Sequence, residues 1–439
     1  MLDKAQRPTQ EAMRLHQFFR GKMQTVPRCA VRGMDDFAIW YSPGVAEPCL
    51  AISRDRSLVY EYTGRWNTVA VVTDGSRVLG LGDIGPEAAL PVMEGKALLF
   101  KYLGGVDAVP ICLDTKDPEE IIRTVKHLQP SFGGINLEDI AQPKCYTILD
   151  RLQRELEIPV WHDDQQGTAA VTLAGLINAL KLVDKKLSEV RIALIGAGAA
   201  NLRIAKILIK AGADAGNIIL SDSRGILNPD RADLEKNHPE KWEMCRSTNA
   251  EGRTGGIPEA IAGTDAVIAL SQPGPGIIKK EWIKSMNEKP IVFACANPVP
   301  EIWPWEAKAA GAWIVATGRS DFPNQINNSL CFPAIFRGSL DVRARAITDE
   351  MCIVAANELA RYVEEQGRLS EECLVPTMEE WEVFPLQAAA VGTKAVEQGV
   401  AGINRSYQEL YQMAADIIRQ AQETTKTLMQ KGLIPHVPD

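Results

Sequence analysis

Two strand-length apolar runs, residues 158–162 and 190–195, each pass almost without a loop into a long stretch at helical spacing, 168–183 and 202–211. That strand–turn–helix repetition constrains the fold more than any other feature of the chain. A strand followed at once by a helix returns to its own sheet by a crossover, so such units build parallel sheets. Residues 69–72, 106–114 and 135–139 read as earlier strands, with helices predicted over 91–103, 118–128 and 143–156. Later strands are predicted over 218–220, 266–270, 291–294 and 313–315. Residues 349–431 are helical by composition and spacing, and residues 1–40 carry helical spacing (Ala12, Leu15, Phe18, Phe19) before an irregular basic stretch.

A chain of 439 residues exceeds one ordinary core. The expected class is α/β in three parts. An N-terminal α/β domain spans 1–165, a doubly wound Rossmann-like domain spans 166–348, and a helical segment over 349–439 packs back on the core. The 168–183 helix is apolar nearly all round, the mark of a helix buried between layers.

Charge excludes several classes of partner. The net charge is −8, and no block of basic residues or aromatic–basic interleaving is present, so nucleic acid is not an expected partner. The N-terminus is polar, and no apolar run approaches the roughly 20 residues that span a bilayer, so no membrane is expected. Nine cysteines without a Cys-x-x-Cys pair read as reduced thiols in a cytoplasmic protein. With only five histidines, any metal must be held mainly by carboxylates.

The turn Gly196-Ala197-Gly198-Ala199-Ala200-Asn201 has the context that gives a glycine-rich motif meaning: a strand before it, a helix after it, and Asp222 at the end of the next strand. Gly196 permits the turn, and Gly198 lets the backbone approach a pyrophosphate at the helix N-terminus. Asp222 favours NAD, because a carboxylate hydrogen-bonds a ribose 2′-hydroxyl and repels a 2′-phosphate. Arg224, two residues on, keeps NADP open. Asn201 departs from the small residue expected there and predicts a helix pushed outward.

Two adjacent acid pairs, Glu138-Asp139 and Asp163-Asp164, stand at strand ends, where open α/β sheets place their ligands. Glu138, Asp139 and one of Asp163 and Asp164 supply three oxygen ligands, a set suited to Mg²⁺ or Mn²⁺. Tyr41, before a Ser-Pro-Gly turn, reads alone as an aromatic plug. Lys96, between Gly95 and Ala97, reads alone as a solvated surface group, or as one that small neighbours admit to a substrate. The glycines in Leu79-Gly80-Leu81-Gly82-Asp83-Ile84-Gly85 predict close backbone approach to a strand or ligand.

Several of these motifs together resemble the malic enzymes. They are Tyr41-Ser42-Pro43-Gly44-Val45-Ala46, residues 79–96 and 136–140, His162-Asp163-Asp164-Gln165-Gln166-Gly167-Thr168-Ala169, Ala296-Asn297-Pro298, and residues 318–328. The likeness is to the small, mainly prokaryotic type and covers most of residues 40–345. It implies an NAD(P)-dependent enzyme that converts L-malate to pyruvate and CO₂ with a divalent metal. By the same resemblance Glu138, Asp139 and Asp164 are the metal ligands, Tyr41 and Lys96 are catalytic, and Arg77 binds a substrate carboxylate. Asn297 and Asn328 lie near substrate and nicotinamide, and Gly196, Ala197, Gly198, Ala199, Ala200 and Asp222 hold the dinucleotide. Lys96 is then expected to lose its proton readily beside the cation. The resemblance also implies a homodimer in which Tyr41 completes the partner's site. A malolactic-type relative, which keeps NAD bound and releases lactate, shares every motif. A nucleotide-sensing protein on the same fold would have lost Lys96 or the acids.

Overall fold

A computed structural model describes residues 2–437, with side chains from residue 11; residues 1, 438 and 439 lie outside it. Among the described residues ten short strands form two sheets. The first has the order β2-β1-β3-β4, all parallel, from β1 (Thr68–Thr73), β2 (Asp107–Cys112), β3 (Gly134–Leu137) and β4 (Val160–His162). The second has the order β10-β9-β8-β5-β6-β7. Its strands are β5 (Ile192–Ile195), β6 (Ile218–Asp222), β7 (Gly225–Ile226), β8 (Ala266–Ala269), β9 (Ile291–Ala294) and β10 (Ile314–Thr317). Only the β6–β7 pair is antiparallel. Strand order reverses between β5 and β8, and such a switch point opens a crevice at the carboxyl ends of the strands.

The strands are short, apolar and rich in β-branched residues because both faces are covered: β5, β8, β9 and β10 are buried throughout. The Thr168–Val183 helix joins the two sheets, and its buried residues lie all round its axis. Together with the turn before it, the span Asp163–Val183 is long and apolar enough to cross a membrane, yet 78% of its apolar window is buried inside the protein, where its side chains find apolar partners. After β10 the chain is helical. The Val383–Glu397 helix packs on Phe332–Asp341 and Asp349–Glu365, and Tyr407–Gln430 reaches back to the Pro86–Gly104 helix of the first sheet. Gln422 Nε2 donates to the Tyr102 carbonyl there. One continuous apolar cluster runs from β1 through Trp161 and Phe336 to Ile418.

Two local expectations are corrected. The helix predicted from Pro91 begins one turn earlier, at Pro86. Gly85 precedes it at φ 84, and Pro86, not Pro91, takes the first position, where a missing N–H costs nothing. Pro91 is accommodated inside the helix. The basic stretch after residue 20 contains a short helix, Met34–Trp40, with Asp35 and Asp36 in its first turn.

Candidate active site

β3 and β4 end side by side, Leu137 opposite His162, and deliver the two acid pairs to one place. Glu138 still donates its N–H to the Val72 carbonyl of β1. Asp139 then turns at φ 54, a left-handed conformation that few non-glycine residues adopt. The turn directs the Asp139 carbonyl to the Arg77 N–H at 3.0 Å and its carboxylate to the Leu79 N–H at 3.3 Å. The loop carrying Arg77 is therefore fastened to a metal-ligand candidate.

After β4 the chain makes one π-helical turn, Asp163–Gly167, before the long helix. Single π turns recur at functional sites because they redirect side chains. Here the turn separates the two adjacent acids. Asp163 points into the protein, where Oδ2 lies 2.5 Å from Lys96 Nζ and Oδ1 accepts the Trp161 Nε1–H at 3.0 Å. Asp164 points to the other acids, and Oδ2 accepts the Asp139 N–H at 2.9 Å. Gly167 is required by this turn: a Cβ there would stand 2.0 Å from Asp163 Oδ1.

Glu138, Asp139 and Asp164 each offer a carboxylate oxygen, all within 4.8 Å of one another. Of the second pair it is Asp164 whose carboxylate lies beside Glu138 and Asp139. Burial, with the neighbouring acids, raises Glu138 well above the ordinary carboxylate range. Burial and then Asp164 push Asp139 up to about 8. One Asp139 oxygen is buried with no hydrogen-bond partner. Crowded acids, an orphaned carboxylate oxygen and an all-oxygen donor set fit a hard divalent cation.

Lys96 is buried between Asp163 and Glu138, whose Oε1 lies 3.1 Å from Nζ, with the Phe332 ring 4.4 Å away. Asn328 Oδ1 stands at 3.5 Å. Burial pulls the ammonium pKa down, but Asp163 and Glu138 outweigh it, so Lys96 holds its proton more tightly than usual. Two carboxylates therefore grip the Lys96 proton. Neither ring nitrogen of His162 has a hydrogen-bond partner, Asp164 Oδ2 standing 3.6 Å from Nδ1, and burial lowers the ring's pKa.

The second sheet supplies the opposite wall. Gly80, in the Arg77 loop, packs so closely on the loops after β8 and β9 that a Cβ would lie 2.4 Å from the Asn297 carbonyl and 2.5 Å from Pro273 Cγ. The predicted close approach is to the other unit. Asn297 in turn lays its amide beside Gly318. The turn after β5 leaves open space over Gly198, where a Cβ would meet nothing within 4 Å. That opening at a helix N-terminus fits a pyrophosphate. Asn201 does not act as a spacer. Fully buried, it donates Nδ2–H bonds to the Ile195 and Gly196 carbonyls at 2.9 and 3.0 Å and stitches helix to strand.

Asp222 ends β6 with both oxygens engaged: Arg231 donates at 3.2 and 3.3 Å, Lys241 at 3.0 Å, and the Arg224 N–H at 2.9 Å. The Arg224 guanidinium turns instead to Asp233 at 2.6 Å. Sequence reading missed Arg231, Lys241, the Lys96 partner Asp163, and Glu301. Glu301 is fully buried and accepts from Ser271 N, Ser271 Oγ and Ala296 N, tying the loops after β8 and β9 together. Tyr41 is left outside the acid cluster. It lies at the end of the Met34–Trp40 helix, 76% exposed, and no hydrogen bond joins it to the acids or Lys96 among the described residues.

Comparison with known proteins agrees with this geometry. The family profiles "Malic enzyme, N-terminal domain" and "Malic enzyme, NAD binding domain" match residues 20–153 and 165–396. The bifunctional malic/malolactic enzyme of Bacillus subtilis is 49% identical over 401 residues, 91% of this chain and 96% of that protein. The NAD-dependent malic enzyme of Geobacillus stearothermophilus is 51% identical over 381 residues, 87% of this chain and 78% of that protein. Among solved structures, Entamoeba histolytica malic enzyme superposes with a TM-score of 0.97 at 49% identity, covering 99% of this chain and 91% of that one. Two sheets facing across Gly80, acids at the ends of one and a glycine-rich turn on the other, now stand beside half-identity relatives along almost the whole length, and the chain belongs to the malic enzyme family.

Proposed function

We propose that the chain catalyses the oxidative decarboxylation of L-malate to pyruvate and CO₂, with hydride passing to NAD in preference to NADP and with Mg²⁺ or Mn²⁺ required. The observation that carries this reading is Lys96 gripped by Asp163 and Glu138 beside the Glu138–Asp139–Asp164 cluster. In this scheme residues 1–165 hold substrate and metal, 166–348 hold the dinucleotide, and 349–439 brace both.

A divalent cation held by Glu138, Asp139 and Asp164 supplies Lewis acidity, and a dinucleotide on the Gly196–Ala200 turn supplies the hydride acceptor. The chain's own residues handle protons and position. Lys96 passes a proton to Asp163 Oδ2, which burial favours in its neutral form, and so becomes free to take the C2 hydroxyl proton as hydride leaves. Arg77 pairs with a substrate carboxylate, and Asn297 and Asn328 orient the substrate against the nicotinamide. Oxaloacetate then loses CO₂, and Tyr41 protonates C3 of the enolate to give pyruvate.

For that last step Tyr41 must come from a second copy. Met34, Phe37, Ile39, Trp40 and Tyr41 are all more than half exposed on one short helix and the residue after it. An apolar face of this kind is covered in a working protein. A homodimer that buries it brings each Tyr41 to its partner's Lys96. The nine cysteines are all free thiols, as suits a cytoplasmic enzyme.

A malolactic reading stays in play through the Bacillus subtilis relative's name. The deciding assay supplies L-malate, Mn²⁺ and either NAD or NADP, with and without EDTA. Pyruvate and reduced nucleotide in equal amounts, abolished by EDTA, support the oxidative reading. Lactate without net nucleotide reduction replaces it with the malolactic one, and no turnover sinks both.

A further inference from the structure

We propose that Glu301 is a positioning residue whose ionised carboxylate clamps the loops of the nucleotide crevice together, and that taking up a proton slackens the clamp. The proposal rests on the dinucleotide reading above and adds what makes cofactor affinity follow pH.

Glu301 lies at the hub of three loops. Its Oε1 accepts the Ser271 N–H at 2.8 Å and the Ser271 hydroxyl at 3.1 Å, and its Oε2 accepts the Ala296 N–H at 3.1 Å. Ser271 and Ala296 are each the second residue past a strand, β8 and β9, so one carboxylate pins both chains where they leave the sheet. The Glu301 carbonyl accepts the Gly276 and Ile278 N–H groups at 3.1 and 3.2 Å. The third loop is the glycine-rich turn, where a Cβ on Gly196 would lie 2.7 Å from the Leu270 carbonyl oxygen and 2.9 Å from Ser271 Cα. On the cleft side the first two loops present Pro273 and Asn297, on which Gly80 packs. A shift of Glu301 therefore reaches both the dinucleotide turn and the contact between the two units.

The clamp is a charge without a counter-charge. Glu301 is fully buried, and no cation pairs with it among the described residues. Residues 196–200, 271–278 and 296–300 carry no ionisable side chain. The Cys295 thiol, just past β9, stays neutral, because burial and then Glu301 itself push it well above its ordinary value. Arg319 donates to the Pro298 carbonyl and is paired with Asp321. On the helices beyond, Lys280 pairs with Glu306 at 3.2 Å, and Lys279, Glu281 and Lys308 are exposed. An ionised carboxylate only accepts, which suits three donors, and each bond then has charge-assisted strength. Burial pushes Glu301 up to about 7 against the pull of the Ser271 and Ala296 N–H groups, so the charge is gained and lost near neutrality. Once protonated, the carboxyl has a hydrogen to place. Ser271 Oγ can turn round and accept it, and the two N–H groups are left on a neutral partner.

The test measures binding, not turnover. NADH binding to the full chain, without metal or malate, is followed by nucleotide fluorescence from about pH 6 to 8.5 on the wild type, Glu301→Gln and Ser271→Ala. Wild-type affinity should fall by up to about tenfold from pH 8 to pH 6, the drop in ionised fraction of a group titrating near 7. Glu301→Gln keeps the size and is uncharged at every pH. It should bind at the wild type's acid limit, about tenfold weaker at pH 8, and show no pH dependence. Ser271→Ala removes one donor to the carboxylate and should move the midpoint to higher pH, which a merely structural role would not do. Should Glu301→Gln not fold by circular dichroism, that midpoint decides alone. A folded Glu301→Gln that keeps the wild-type slope, or binds as tightly as the wild type at pH 8, overturns the proposal. So does a Ser271→Ala midpoint that stays in place, or a wild type whose affinity ignores pH. Failure of the wild type to bind NADH at any pH would instead remove the dinucleotide reading, and the first titration tells the two apart.

Discussion

Lys96 and Asp163 form a buried ion pair at 2.5 Å, while the next residue, Asp164, faces the opposite way into the acid cluster. One turn of backbone thereby divides two neighbouring carboxylates between two tasks, a proton partner and a cation ligand.

If Asp163 is the proton partner, Asp163→Asn should lower pyruvate formation by about 100-fold or more, the usual scale for losing a positioned proton carrier. NAD affinity should be unchanged, because the Asp163 carboxylate is turned to Lys96 and Trp161 and offers nothing to the dinucleotide. Lys96→Ala should lose pyruvate formation likewise. Steady-state turnover paired with NAD titration separates the two effects. Normal turnover in either variant removes that residue from the mechanism.

The acid cluster carries its own pH signature. Asp139 is raised from its ordinary value to about 8, first by burial and then by Asp164. A carboxyl raised in the folded state contributes stability that is fully present below its unfolded pKa, near 4, and lost as pH rises through the folded value. The melting temperature of metal-free protein should therefore fall between pH 4 and 8. Mn²⁺ should restore it most at the upper end, where the ion relieves the ionised acids. Asp139→Asn should flatten the profile and abolish the Mn²⁺ response; scanning calorimetry across pH, with and without EDTA, reads both.

Completion of the site across a dimer can be tested by mixing two inactive proteins. Homodimers of Tyr41→Phe and of Lys96→Ala each have no intact site. If Tyr41 works on the partner's Lys96, co-refolded or co-expressed mixtures contain heterodimers with one intact site, and activity should return to about a quarter of wild type for random pairing. Sites completed within one chain would give no recovery, whatever the pairing.

Gly80 closes the cleft without a side chain. Gly80→Ala would put a methyl 2.4 Å from the Asn297 carbonyl, and a backbone atom cannot step aside as a flexible side chain can. The two units should part slightly, raising the malate KM and lowering kcat/KM by about tenfold, since small misplacements of reacting groups are costly. The melting temperature should barely move. A variant with unchanged KM would mean that the contact is incidental.

Much of this was legible in the sequence for definable reasons. Apolar runs of strand length between helical stretches announce a parallel sheet, and β3, β4 and β5 bear that out. What stayed hidden depends on direction or distance. Nothing in the pair Asp163-Asp164 says which acid faces Lys96, because that follows from a π turn of five residues. Pro86 and Pro91 are equally good first residues of a helix until Gly85 adopts a positive φ. Asn201 looked like a misfit because its amide's partners, two carbonyls of the preceding turn, are visible only in three dimensions. Arg231 and Lys241 lie too far along the chain from Asp222 for any spacing rule to join them.

The helix Tyr407–Gln430 lies against the helix that carries Lys96, with Gln422 bonded to Tyr102 and Ile417 crowding Gly105. During synthesis, then, the lysine's support waits for segments translated some three hundred residues later. A chain halted before residue 407 has Lys96 but lacks the helix that packs on the carboxyl end of the lysine's own helix.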